Sequence, residues 1–218
     1  DFSNYDHIVI GSGIGGLTAA TWLAKAGKKV LVLERHYLPG GFTHVFKRGK
    51  GFKWDVGVHY VGNVDPSGSL RKLFDFITDS KLKWNSLGDV YDVIYINNEI
   101  YKLRSGEEHF KSQLLTHFPN EGEAIDLYLK LIRKSNKRAN LFFFEKTFEP
   151  FLNRLFGWIL IKRFQKYSNK TTQETLQQIT ENKKLIAVLC AQCGNYGLSP
   201  EHSSFAAHAL IVGHFMNG

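Results

Sequence analysis

The run Gly11-Ser12-Gly13-Ile14-Gly15-Gly16 constrains this chain more than any other stretch. It follows Tyr5-Asp6-His7-Ile8-Val9-Ile10, which reads as a buried strand. It precedes Leu17 to Ala26, which reads as a helix stopped by Gly27. Lys29-Val30-Leu31-Val32-Leu33 is then a second strand with Glu34 at its end. Strand, glycine turn, helix, strand and acid together make G-x-G-x-x-G a dinucleotide fingerprint rather than an ordinary turn. Gly11 suits the tight turn, Gly13 lets the backbone approach a pyrophosphate, and Gly16 lets the helix pack closely. The free N–H groups at the helix start are placed for phosphates. Glu34 is placed to accept from a ribose diol, an arrangement that disfavours a 2′-phosphate.

The fingerprint does not choose between FAD and NAD. The residues after it are Glu34-Arg35-His36-Tyr37-Leu38-Pro39-Gly40-Gly41-Phe42-Thr43-His44, and then Asp55-Val56-Gly57-Val58-His59-Tyr60-Val61-Gly62. A glycine pair without Cβ atoms allows the backbone to pass close to a flat ligand, although a plain turn after Pro39 explains it too. Asp55 and His59 straddle Gly57 in an apolar stretch. A lone Asp there caps a turn, whereas several polar groups converging on a glycine-rich pocket read as a site.

On these residues the chain resembles the FAD-dependent amine oxidase and phytoene desaturase superfamily, most closely its retinol saturase and carotenoid isomerase branch. Gly194-Asn195-Tyr196-Gly197-Leu198 and Ser203-Ser204-Phe205-Ala206 add to the likeness. The match is close over 5–62 and good over 188–218, and only general over 65–185. The resemblance implies a flavoprotein acting on carbon–carbon double bonds of hydrophobic isoprenoid or polyene-like substrates. It implies that Gly11, Gly13, Ile14, Gly15 and Gly16 hold the pyrophosphate and Glu34 the ribose. Arg35, Gly40, Gly41, Phe42 and Thr43 would line the path to the flavin, with Asp55, Gly57, Val58 and His59 nearest the ring. His59 is the sole candidate for a general acid or base. The alternatives are an NAD-linked dehydrogenase and a non-enzymatic lipid binder akin to the Rab GDP-dissociation inhibitors.

The expected fold class is α/β: a Rossmann-like FAD-binding domain over 1–64, with an inserted α+β substrate domain, incomplete here, over 65–218. Members of the superfamily are about twice this length, so an N-terminal portion is expected. Of 218 residues, 43% are hydrophobic, enough to bury a sizeable core. The net charge of +8 favours anionic partners, but no nucleic-acid motif accompanies it. Cys190 and Cys193 form a lone C-x-x-C in an apolar run; no second pair suggests a metal site, and two small packed thiols are expected. No leader is visible, and a cytoplasmic protein, with or without peripheral membrane contact, is expected.

Along the rest of the chain, 62–68 reads as a turn-rich hinge and 69–79 as a helix. Strands at 90–96 and 99–103 flank Asn97-Asn98 as a hairpin. Ser105-Gly106-Glu107-Glu108 reads as a capping box, with helices following to 118 and over 120–140. Thr171 caps a short helix, Thr180 precedes another, and Ser199-Pro200-Glu201 starts an apolar, buried last helix. The segment 141–166 is rich in Phe and Trp and carries Lys146, Arg154, Lys162, Arg163 and Lys166. Its charges interrupt it too often for a membrane span. It reads as a peripheral membrane contact, as a core helix, or as the wall or lid of a greasy cavity.

Overall fold

The computed structural model describes residues 3–152 and 157–217 and divides the chain into two units, 1–84 and 85–218. The first unit begins with strand β1, His7–Ile10, helix α1, Ile14–Lys25, and strand β2, Val30–Leu33. β1 and β2 pair in parallel, with His7 opposite Val30 and Ile10 opposite Leu33. A right-handed helical crossover is the ordinary way to connect such a pair, and α1 supplies it. The helix starts three residues earlier than its apolar pattern suggests because Gly13 already has the extended geometry of an N-cap. The expectation of a buried first strand is corrected: Ile10 is 86% exposed and Ile8 48%. A parallel sheet is normally covered on both faces, and this one has two strands among the described residues, with α1 packed on them.

A 3₁₀ turn at Gly41–Thr43 leads into an antiparallel pair, β3, Val45–Arg48, and β4, Phe52–Asp55. Helix α2, Ser69–Thr78, then packs on α1, with Trp22 and Phe76 ring centroids 4.5 Å apart and Lys25 bonded to Asp79. The two units therefore divide after Trp84 rather than at the 62–68 hinge. That segment is a tight turn inside the first unit: Asp65 accepts from the N–H and hydroxyl of Ser67, and its carbonyl accepts from Gly68 N–H.

The second unit opens with the antiparallel hairpin β5, Val90–Ile96, and β6, Glu99–Arg104, turned at Asn97 with a left-handed φ of 54°. Alternation along β6 sends Tyr101 and Leu103 into the core. Helix α3, Glu107–His117, follows, and the expected capping box does not form. Gly106 is the N-cap instead, at φ 86°, and its N–H donates to the Met216 carbonyl at 2.7 Å. Ser105 therefore stands one residue before the cap, its N–H donating to the Asp89 carbonyl.

Helix α4, Gly122–Glu145, buries Ile125, Tyr128, Leu129, Ile132, Ser135 and Ala139, a stripe at helical spacing. It runs past residue 140, so the 141–166 segment is not one element. Its described parts are the end of α4, a short α5 at Pro150–Leu152 and α6, Trp158–Ser168; Arg154 lies outside the described residues. Helix α7, Thr172–Gln177, carries the expected cap: Thr171 accepts from Glu174 N–H, and Glu174 accepts from Thr171 N–H. Helix α8, Lys183–Cys190, is capped by Asn182 rather than begun at Thr180. Helix α9, Phe205–Met216, starts at the Ser204 cap; Ser199-Pro200-Glu201 forms a turn whose Pro200 carbonyl is taken by Gln173 N–H, which prevents it from serving as a first helical turn. As expected, α9 is buried nearly all round. It lies closest to α4 where Gly213 meets Asn136 and Ile132. The core built from β6, α3, α4, α8 and α9 lies wholly in this unit.

Candidate functional site

The glycines of the fingerprint are glycine for two different reasons. Gly11 has φ +95°, a region that side chains rarely adopt. A Cβ on Gly16 would drive into the Gly11 carbonyl and press on Val9, so the helix could not lie so close to the turn. Gly13 is different: its φ of −65° suits any residue, and a Cβ there would meet nothing within 4 Å. Gly15 is likewise open. Among the described residues no protein atom demands glycine at these two positions, and the space beside them is open.

The start of α1 fits an anion. Its N-cap, Gly13, offers no side-chain cap, and the first turn carries no acid. The first N–H groups of a helix have no intrahelical partner and sit at the positive end of its dipole. Phosphate oxygens are the matching ligand.

Ser12 joins the parts, and sequence reasoning missed it. It is 1% exposed. Its N–H donates to Glu34 Oε2 at 2.7 Å and its hydroxyl to the same oxygen at 2.6 Å. The Ser12 carbonyl and hydroxyl both accept from Gly40 N–H, at 3.0 and 3.1 Å. One buried hydroxyl thus ties the glycine loop to the acid at the end of β2 and to the glycine pair. The available signal was a small polar residue at a variable position of the fingerprint, flanked by glycines. Glu34 Oε1 accepts from His36 N–H at 2.7 Å. The Ser12 hydroxyl, then the His36 and Ser12 N–H groups, hold the Glu34 carboxyl down at about 2. The Arg35 N–H adds to the same effect, so the carboxylate is ionised and held by its own loop.

The glycine pair passes the fingerprint loop at contact distance. A Cβ on Gly41, at φ +55°, would lie 2.9 Å from Gly13 Cα. Thr43 closes this turn, its hydroxyl donating to the Gly40 carbonyl at 2.6 Å. Phe42 is 75% exposed, yet one edge of it covers Gly57, where a Cβ would fall 2.9 Å from the ring. Val56 N–H donates to the His44 carbonyl at 3.2 Å. The 40–44 turn and the 55–59 segment are therefore held together. Asp55 and His59 are half-exposed with 3.8 Å between carboxylate and imidazole, Val58 is 39% exposed, and Arg35 is exposed.

In the second unit, the Tyr196 and Ser203 positions of the sequence likeness belong to a buried polar chain. His208, fully buried, meets the Tyr128 hydroxyl at 2.9 Å through Nε2 and the Tyr196 hydroxyl at 3.2 Å through Nδ1. Ser203 and Thr172 hydroxyls pair at 2.8 Å. Burial lowers His208 to about 4, raises Tyr128 well above its ordinary value and raises Tyr196. Cys190 is buried and Cys193 half-buried, both free, and burial pushes the Cys190 thiol up to about 12, so it is an inert packed thiol.

The family described as NAD(P)-binding Rossmann-like domain matches residues 9–77, which spans the glycine loop, Glu34 and the glycine pair. The all-trans-retinol 13,14-reductase of Danio rerio is 39% identical over 98% of this chain. Over the stretch it spans, the chain is similar to the all-trans-retinol 13,14-reductases. A second Danio rerio relative, named an inactive all-trans-retinol 13,14-reductase, is 34% identical over 99% of the chain. Prolycopene isomerase 1 of an Oncidium hybrid cultivar is 31% identical over 87%. The chain spans about a third of the length of these relatives, 36%, 36% and 33% respectively. Among solved structures, an oxidoreductase of Methanosarcina mazei superposes with a TM-score of 0.56 at 20% identity, over 97% of this chain and 44% of that one. A putrescine oxidase superposes at 0.55 with 19% identity, over 97% and 42%. These two likenesses agree with the α/β Rossmann fold.

Proposed function

We propose that this chain holds the nucleotide half of FAD in an oxidoreductase, one that acts on carbon–carbon double bonds of a hydrophobic isoprenoid or polyene-like substrate. The observation that carries the cofactor reading is the open space over Gly13 and Gly15 beside an uncapped helix start. The named relatives support the substrate class. In this reading the α1 N–H groups and the backbone at Gly11, Gly13, Ile14, Gly15 and Gly16 bind the pyrophosphate. Glu34 accepts a ribose hydroxyl, and Ser12 holds that carboxylate ionised and in place. The turn through Gly40, Gly41, Phe42 and Thr43, with Arg35 at its start, leads toward the 55–59 segment, where Asp55, Gly57, Val58 and His59 approach the ring. When bound, the flavin supplies hydride transfer; the protein orients it and excludes water. His59 is the candidate general acid or base in this segment, its imidazole 3.8 Å from the Asp55 carboxylate.

The relative named inactive shows that likeness over this stretch does not by itself carry turnover. The absorption spectrum of the purified full-length protein tests the cofactor. Bands at about 370 and 450 nm, released on denaturation, are expected for oxidised flavin, the group that carries such chemistry. A colourless protein that binds NAD would move it to the dehydrogenases, and a colourless protein that binds neither would leave a lipid binder.

A further inference from the structure

The second unit carries a groove of about 810 Å³ between α4 and α6. Its walls bear six cations: Lys134, Lys137 and Arg138 from α4, and Lys162, Arg163 and Lys166 from α6. The spacing explains the convergence. Residues three and four apart share a helix face, so each helix turns one basic stripe toward the other. Among the described residues none of the six has a carboxylate partner. Their neighbours on α4 do: Arg133 bonds Glu107, and Lys146 lies 3.0 Å from the buried Glu145. Lys146 also sits over the Phe142 ring, which stacks on Phe164 at 4.6 Å and ties the two helices together. Six like charges fixed in one groove repel one another unless an anion joins them.

Aromatic side chains decide which anion. Trp158 lines the groove and is 61% exposed, with Ile159 and Tyr167 beside it. Phe143 and Phe144 on α4 are 55% and 60% exposed, and Phe151 is 71% exposed. Exposed Trp and Phe next to Lys and Arg match a bilayer interface, where rings enter the headgroup level and cations meet phosphates. A nucleic acid duplex would use the cations but keeps its bases stacked on one another, away from these rings. No helix among the described residues is long and apolar enough to cross a membrane, so the contact is a docking one. We propose that the α4–α6 groove binds the headgroups of anionic phospholipids and docks the protein on a membrane surface. This stands apart from the cofactor reading and does not depend on it.

The test is co-sedimentation of the full-length protein with vesicles of phosphatidylcholine alone or mixed with phosphatidylserine. Binding to the anionic vesicles is expected, weakening as salt is raised. Each Lys or Arg near such a surface contributes about 1 kcal/mol, so K162E with R163E and K166E should weaken binding by about a hundredfold or more. Lys50→Glu with Lys102→Glu and Lys183→Glu makes the same change in net charge at exposed positions that do not line the groove, and should change binding by less than about fivefold. Lys134→Gln with Lys137→Gln and Arg138→Gln gives a milder, independent variant, and Trp158→Ala keeps the charge while removing the ring; both should also weaken binding. An unchanged circular dichroism spectrum shows which variants are folded. Equal losses in the groove and control sets would overturn the proposal in favour of diffuse attraction. So would no binding to anionic vesicles, or duplex RNA displacing the protein from them.

Discussion

At the scale of single residues, two glycines of one motif should separate experimentally. Gly13→Val is expected to leave the fold intact and abolish nucleotide binding, because its side chain projects into open space. Gly16→Val is expected to lower stability by about 1–3 kcal/mol, the usual range for overpacking, because its side chain strikes the Gly11 carbonyl. Urea denaturation and ADP titration of the two variants check the contrast; a Gly13→Val protein that still binds ADP would remove the loop from the site. Glu34→Ala should weaken ADP by about 1–3 kcal/mol, the range for a hydrogen bond to a charged acceptor. Ser12→Ala should weaken it by about 1 kcal/mol, by freeing the carboxylate and the glycine pair together. The sequence shows the fingerprint and Glu34 because their spacing is dictated by the ligand. It hides Ser12 because its role depends on Gly40, far along the chain and joined only by folding.

At the scale of elements, the regular helices and the hairpin were legible from periodicity, and the helix starts less so. The Thr171 cap uses local bonds and was visible. The Gly106 start depends on the Met216 carbonyl, a partner no local pattern reveals. The packing of α9 yields two expectations. Gly213→Val should cost about 1–3 kcal/mol, since the added carbons enter space held by Asn136 and Ile132. His208 gives a pH dependence. Its folded value, about 4, lies below its ordinary 6.5 because burial disfavours the charged form. The unfolded chain therefore binds the extra proton first, and stability present above pH 6.5 is lost as pH falls toward 4, by about 3 kcal/mol in all. Urea midpoints from pH 7 to 4 should show this decline, and His208→Phe should reduce it, leaving the share of His214, which burial also lowers.

At the scale of the whole molecule, the interior is unevenly shared. Among the described residues, those of the main apolar cluster all belong to the second unit, whereas the first buries one hydrophobic side chain, Ala20. The exposed β1 was not foreseeable, because its residues are those of a covered strand and coverage is a property of the assembly rather than of the run. Denaturation should proceed in two steps, the first unit melting before the second, with hydrogen exchange fastest over residues 7–33. Coincident transitions by both measures would contradict this. Saturation with a nucleotide at about a hundred times its Kd adds about 2.7 kcal/mol to whatever binds it, and that gain falls on the less stable transition alone. A unit poised in this way reports its own occupancy: its melting temperature should climb with each increment of added nucleotide, while that of the second unit stays where it is.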